Sequence, residues 1–271
     1  MKSAFAVRLW WPIVSKRLNT YFWITFLPAH IFFVIALINT TLNFKFFITT
    51  LILWTLIAGY GLGVGFHRLL SHNSFATWPI IEVIVSYLGC LAIQGSPIFW
   101  VNLHRGYHHK HADTEQDIQS PLRGKLWGYF LWTIMIQYKV LQFNSVNDLL
   151  RKTSQRILHY GYFVVVWLTW AVAFYVSQEF FFALIVAQIA ALHQEFCVNL
   201  FCHSGKGYRN FDTPDNSINR HFFGLLFWGV GYHNNHHARP HSYSFAYAPH
   251  EFDPTTLLVK LIRKKESSDV L

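Results

Sequence analysis

Charge is what this sequence has least of. Asp, Glu, Lys and Arg make up 13% of its 271 residues, against roughly a quarter in an average soluble domain. With 53% hydrophobic residues beside so few charges, the chain does not read as an ordinary soluble protein. Cysteine is nearly absent as well. Cys90, Cys197 and Cys202 lie in apolar surroundings and form no CxxC pair, which excludes a disulfide framework and a thiolate zinc or iron–sulfur site. Cys197 and Cys202 read as small packing residues. No Gly/Ser/Pro-rich linker, low-complexity run or repeat divides the chain, so residues 1–271 read as one integral-membrane unit.

Four apolar stretches approach the roughly 20 residues that a helix needs to cross the hydrocarbon core. They cover about residues 21–42, 46–66, 160–176 and 180–201. Only a few residues separate the first from the second and the third from the fourth, so the spans pair as two helical hairpins. Residues 67–159 and 202–271 are left for a helical cap. Within the cap, residues 79–100 are apolar but carry Glu82, Gln94, Gly95 and Pro97, and read as a re-entrant or surface-lying helix. Residues 127–136 are too short to cross and read as interfacial.

Orientation follows from basic residues, which stay on the cytoplasmic side. Of the 22 Lys and Arg, only Lys45 falls in an outer turn. Both termini and the whole cap are therefore expected in the cytoplasm, and the formal charge of +9 is a topology signal rather than a nucleic-acid footprint. Lys2, Arg8, Lys16 and the Trp10-Trp11 pair precede the first span without a small-residue cleavage site, and read as an interfacial anchor rather than a removed signal peptide.

Histidine is what the chain has in excess. Eight of its 16 histidines fall into three clusters at the inner ends of apolar stretches: His67-Arg-Leu-Leu-Ser-His72, His104-Arg-Gly-Tyr-His108-His109 and His233-Asn-Asn-His236-His237, with His203 as a ninth. Neutral imidazole is the commonest metal ligand at neutral pH. On a continuing α-helix, residues five apart diverge by about 140°, so His67 and His72 would reach two metals, or one metal from two sides. His104 and His108 share a helix face, as do Asn199 and His203, while His233, His236 and His237 repeat the i, i+3, i+4 logic. Nine nitrogens exceed what one zinc takes, and an all-imidazole set suits Fe, Zn, Cu or Ni. His30, His159, His221, His241 and His250 read instead as hydrogen-bonded or interfacial residues. His193 lies inside the fourth span beside Glu195, and polar groups at such depth are usually functional.

The three boxes resemble those of the membrane fatty acid desaturases, in particular the acyl-CoA (stearoyl-CoA) Δ9 branch. Gly61–Gly65 before the first box, Trp100 ahead of the second, Lys110-His111-Ala112-Asp113 after it, and the stretch from Asn199 through His203 and Tyr208 to Asp212 fit the same family. The resemblance implies an all-α integral membrane fold of four transmembrane helices with a cytoplasmic cap carrying a di-iron site. It implies metal ligation by His67, His72, His104, His108, His109, His203, His233, His236 and His237, with Asn199 acting through water. One departure stands out: the second box is usually HxxHH, and Gly106 with Tyr107 makes it HxxxHH. Either a local bulge restores the pocket or His104 is displaced. The implied reaction uses O2, two electrons and two protons to remove hydrogen from two adjacent methylenes, leaving a cis double bond, with two waters as the other product.

Asp113, Glu115, Asp117 and Asp212 are the carboxylates expected to orient imidazoles, and Arg123, Lys125 and Arg209 candidates for contact with an anionic acyl carrier. The chain carries no cysteine set for an iron–sulfur cluster, no nucleotide-binding glycine motif and no room for a cytochrome-b5-like domain. A ferredoxin or a separate cytochrome b5 with its reductase is therefore the expected donor, met by basic residues. A lipid or alkane hydroxylase with similar boxes is the nearest rival. A histidine-rich metal transporter would place its ligands at mid-bilayer rather than at the membrane edge.

Overall fold

The computed structural model describes residues 17–137 and 142–264, so the basic and tryptophan residues expected to anchor the N-terminus lie outside the described residues. The described chain is helical with connecting loops, and isolated β-bridges join Asn219 to Tyr208 and Tyr232. Three helices are long and apolar enough to cross a membrane: α1 (Phe22–Asn39), α2 (Phe44–Ser71) and, further on, Gln178–Phe201. Between them run α3 (Pro79–Cys90), α4 (residues 97–111), α5 (residues 127–135), α6 (Thr153–Tyr160) and α7 (Tyr162–Val176), which make Gln178–Phe201 α8. The chain ends in α9 (His221–Leu226), α10 (His233–Ala238) and α11 (Pro254–Ile262).

The expected third span is a bent pair. At 1.5 Å per residue α7 is about 22 Å long, short of the ~30 Å hydrocarbon core. It meets α6 at Gly161 with a bend of 73°, and together the two make a fourth candidate span. α3 has 12 residues, about 18 Å, too short to cross by itself. α8 is the hub, packing against α1, α2, α5 and α7. The outward faces of these helices are apolar, for example Leu37 and Ile38 at the end of α1 and Val164, Leu168 and Val172 on α7. Such faces suit a hydrocarbon surround, where a helix satisfies its own backbone polar groups.

Helix starts follow local chemistry. Asn43 Oδ1 accepts from Phe46 N at 2.8 Å, Ser96 Oγ from Phe99 N at 3.3 Å and Asp253 Oδ1 from Thr255 N at 3.0 Å, opening α2, α4 and α11. Such caps satisfy backbone donors that have no partner inside the helix. Pro79, Pro97 and Pro254 stand at first helical positions, where a missing N–H costs nothing. α3 is held tightly against α2. A Cβ at Gly61 would lie 2.5 Å from the Leu88 carbonyl carbon, and one at Gly65 only 2.8 Å from the Val85 carbonyl oxygen. The glycines before the first histidine box are therefore a packing requirement, letting two backbones approach as larger residues cannot.

Candidate metal centre

The long run of α2 carries its helix past residue 66, where the apolar stretch was expected to end, through His67 to Ser71. From Thr55 onward its turns are widened, with backbone bonds reaching five residues rather than four. His72 N donates to His67 O at 3.2 Å, and Ser71 Oγ donates to Phe66 O at 2.8 Å. A five-residue turn reverses the divergence expected of an α-helix, so His67 and His72 face one site with ring centroids 5.2 Å apart. The second box uses the same device. Residues 104–108 form one wide turn in which His109 N donates to His104 O. This is where the extra residue goes: His104 and His109 sit on one side and His108 on the other. Single wide turns of this kind are frequent at functional sites.

The third box rides on α10, and the two asparagines inside it fix the helix to the cap. Asn235 Nδ2 donates to Phe245 O (2.9 Å) and Glu251 Oε2 (2.8 Å), while its Oδ1 accepts from Asn210 and Asn219. Asn234 Oδ1 accepts from the backbone N of Asn210 and Phe211, each at 2.9 Å. His203 follows directly on α8, whose end is closed by Cys202 N donating to Val198 O at 2.8 Å.

These elements bring all nine histidines into two adjoining groups: His67, His72, His104, His109 and His236 in one, His108, His203, His233 and His237 in the other. Within each group the ring nitrogens lie within 4.8 Å of one another. The Nε2 of His236 is 2.8 Å from the Nε2 of both His67 and His109; that of His72 is 2.9 Å from His104, and that of His233 is 2.9 Å from His203. Three nitrogens converging on one point cannot all satisfy one another by N–H···N bonds. Around a cation with bonds of about 2.1 Å, neighbouring ligands would stand about 3 Å apart and opposite ones about 4.2 Å, so the spacing fits a ligand cage.

The protonation states fit as well. Burial, followed by the charge that neighbouring rings would carry, holds His72, His104, His109, His233 and His236 well below the ordinary histidine value. Burial brings His237 down to about 4 even against the opposing pull of Asp215. These rings are neutral at physiological pH, the form that binds metal. Burial would lower His108 too, but the Asp117 carboxylate outweighs it, and that imidazole is raised, which would make it a more basic ligand for any metal held there.

Three carboxylates orient the second group. Asp117 Oδ2 faces His108 Nδ1 at 3.2 Å, Asp113 Oδ2 faces His203 Nδ1 at 2.8 Å, and Asp215 Oδ2 faces His237 Nδ1 at 2.8 Å. Asp212 is exposed; the carboxylate that reaches the site from this loop stands three positions later. Asp215 is held in an Asx turn, its Oδ1 accepting from Ser217 N at 2.9 Å, which aims its second oxygen at His237. Asp117 repeats the pattern, accepting from Gln119 N at 2.9 Å. Arg209 is spent on the same loop, donating to the carbonyls of Thr213 (2.6 Å) and Asp215 (2.8 Å). Arg123 donates to Glu115 O at 2.6 Å and lies over Trp127; Glu115 and Lys125 are exposed.

A single cavity runs beside both groups. His67 and His104 line it from one group and His108 and His233 from the other, along with Asn199, Glu195 and the apolar Trp100, Trp132 and Phe196. Asn199 Nδ2 donates to the carbonyls of Gln119 (2.9 Å) and Gly128 (2.6 Å), fixing its orientation on that wall. His193 and His30 lie outside both groups and bond to each other across 3.2 Å, with Tyr129 Oη 2.8 Å from His193 Nδ1. His111 joins neither group.

Sequence reasoning passed over Asp215, Arg68, Phe245 and Asp253. An Asp two places before a Ser in a Thr-Pro-Asp-Asn-Ser turn was the available signal for the first; the others are joined only by the fold.

A family model described as fatty acid desaturase matches residues 46–252, a stretch that includes all nine histidines and Asn199. An acyl-CoA C20 Delta5-desaturase from Anemone leveillei is 32% identical over 229 residues, 82% of this chain and 72% of that protein. An sn-1 stearoyl-lipid 9-desaturase from Anabaena variabilis is 32% identical over 254 residues, 90% of this chain and 89% of that protein. Delta-9 acyl-lipid desaturase 1 from Arabidopsis thaliana is 32% identical over 249 residues, 85% and 76% of the two chains.

Proposed function

This chain belongs to the fatty acid desaturase family and is an oxidoreductase; within that family we propose that it places a cis Δ9 double bond in the saturated chain of an acyl-CoA. The observation that carries the reading is the convergence of nine imidazoles in two groups beside one cavity with aromatic walls. The five-nitrogen and four-nitrogen groups would each hold one iron, with Asn199 on the cavity wall acting through water. Bound there, the iron pair would supply the reduction of O2 that drives hydrogen removal.

The protein's own residues do the rest. Trp100, Trp132 and Phe196 hold methylenes in a dry passage past both groups, and such positioning is where a protein contributes most to an oxidation of this kind. Asp113, Asp117 and Asp215 keep Nδ1 protonated on their histidines, so that Nε2 faces the metal. Two hydrogens leave adjacent carbons, and O2 takes them with two electrons and two protons to give two waters. Those electrons come from a separate ferredoxin or cytochrome b5, drawn to the basic cytoplasmic face. In this reading four spans cross the bilayer, counting α6 with α7 as one, and the termini and metal centre are cytoplasmic. The distribution of 21 of the 22 basic residues supports that orientation.

An acyl-lipid substrate is the second reading. It is favoured by the relatives from Anabaena and Arabidopsis, which are named for acyl-lipids and align over 90% and 85% of this chain. Expression in a host lacking unsaturated fatty acids, followed by mass spectrometry of the acyl-CoA and lipid fractions over time, separates the two. A Δ9 alkene appearing first on CoA supports the proposal, first appearance on lipid supports the second reading, and a hydroxylated chain without alkene overturns both. Substituting His236 by Ala removes the residue on which two other histidines converge and is expected to abolish the product.

A further inference from the structure

The two nitrogen groups are oriented by different physics. In the four-nitrogen group, three imidazoles have a carboxylate on Nδ1. Among the described residues no carboxylate pairs with any histidine of the five-nitrogen group, and the buried Nδ1 of His236 has no hydrogen-bond partner. Something else must hold that ring, and it is an aromatic contact. The Phe245 ring lies on His236 with centroids 4.3 Å apart and meets His67 edge-on at 5.2 Å.

Phe245 is itself clamped. The Arg68 guanidinium carbon stands 3.7 Å from the centroid of its ring. Arg68 is wholly buried and all three of its nitrogens are used: Nε donates to Tyr243 O (2.9 Å), Nη1 to Gly63 O (2.7 Å) and Nη2 to Asp253 Oδ2 (2.8 Å). That Asp253 oxygen also accepts from Phe245 N at 2.8 Å, while its other oxygen caps α11. The Arg68–Asp253 pair has no exposed side-chain surface and belongs to neither the ligand set nor the cavity lining. It ties residues 243–255 to the helix that carries His67.

Resting on the metal-centre reading above, we propose that Arg68, Phe245 and Asp253 are positioning residues for the five-nitrogen group alone. Their stack takes the part that Asp113, Asp117 and Asp215 take in the other group, holding His236 and His67 by packing instead of hydrogen bonds. Metal retention at the two sites is then separable, and the segment leading into α11 controls one of them.

The test uses the full-length protein, purified in detergent after expression with iron. Iron per chain and the Mössbauer spectrum are measured for wild type, Phe245→Leu, Phe245→Tyr and Asp253→Asn, with His67→Ala and His233→Ala marking loss from each group. Phe245→Leu keeps an apolar side chain and removes the ring. Wild type is expected to hold two irons, and Phe245→Leu and Asp253→Asn about one, with the spectrum of His67→Ala. Phe245→Tyr, which restores a ring, is expected to recover the second iron. Full iron content in Phe245→Leu overturns the proposal, as does loss of both irons together, which would make the stack a general folding element. Iron stoichiometry is read without substrate, so failure of the desaturase reading and failure of this one are told apart.

Discussion

Asp215 shows how a single residue can matter without touching metal or substrate. Its Oδ1 closes the turn at Ser217 and its Oδ2 orients His237; burial alone would raise its carboxyl, but these hydrogen bonds outweigh it and hold the group well below the usual range. Asp215→Asn preserves an oxygen for the turn but loses the anionic partner of Nδ1. Loss of such an orienting group typically costs about 10–100-fold in metal affinity or activity, and iron titration of the variant is expected to fall in that range; unchanged affinity would show that the turn alone positions His237. The histidines were legible in the sequence because nine metal-binding side chains cluster at membrane edges for no other evident reason. Asp113 and Asp117 were legible from their place after the second box. The choice of Asp215 over Asp212 was not, because both lie in one loop and only the turn geometry aims one of them.

At the scale of elements, the wide turns explain what spacing by itself misread. An α-helical ruler puts residues five apart on different faces, and the five-residue bonds of α2 and of residues 104–108 place them on one. The extra residue in the second box is therefore accommodated in the backbone without displacing His104 from the ligand groups. Deleting Gly106 should collapse the wide turn to an ordinary α-turn with three residues between the outer histidines, keeping His104 and His109 in the same group. The deletion variant is expected to retain both irons and desaturase activity in the expression assay; loss of one iron would show that the wide turn itself is required. That the chain carries long apolar helices was readable from hydropathy; the first two pack on α8 more than on each other. The bend at Gly161 and the role of α8 as hub were not readable, since both are set by packing between distant segments.

At the scale of the molecule, burial of so many neutral imidazoles makes stability depend on pH. An unfolded chain takes protons on histidine near 6.5, while the folded chain holds His237 at about 4 and several others well below the ordinary value. Above pH 6.5 these rings are neutral in both states and folding carries no penalty. As pH falls from 6.5 toward 4 the unfolded state gains protons that the folded state refuses, and stability is lost. His108, raised by Asp117, works in the opposite direction, but it is outnumbered. Thermal unfolding of the metal-free protein is expected to show Tm falling steadily between about pH 6.5 and 4.5; a flat or rising Tm would mean that the rings protonate in place. Below that range Asp113 and Asp215, both held low, extend the loss.

The most direct measurement feeds an acyl-CoA deuterated on C9 and C10 to membranes holding the protein, a reduced electron donor and O2, and reads the product by mass spectrometry. A cis alkene that has lost one deuterium from each of the two carbons, formed by wild type and absent with His236→Ala, is the expected result. A product that keeps one deuterium on each carbon bonded to hydroxyl oxygen, or an alkene formed equally well by His236→Ala, would contradict it.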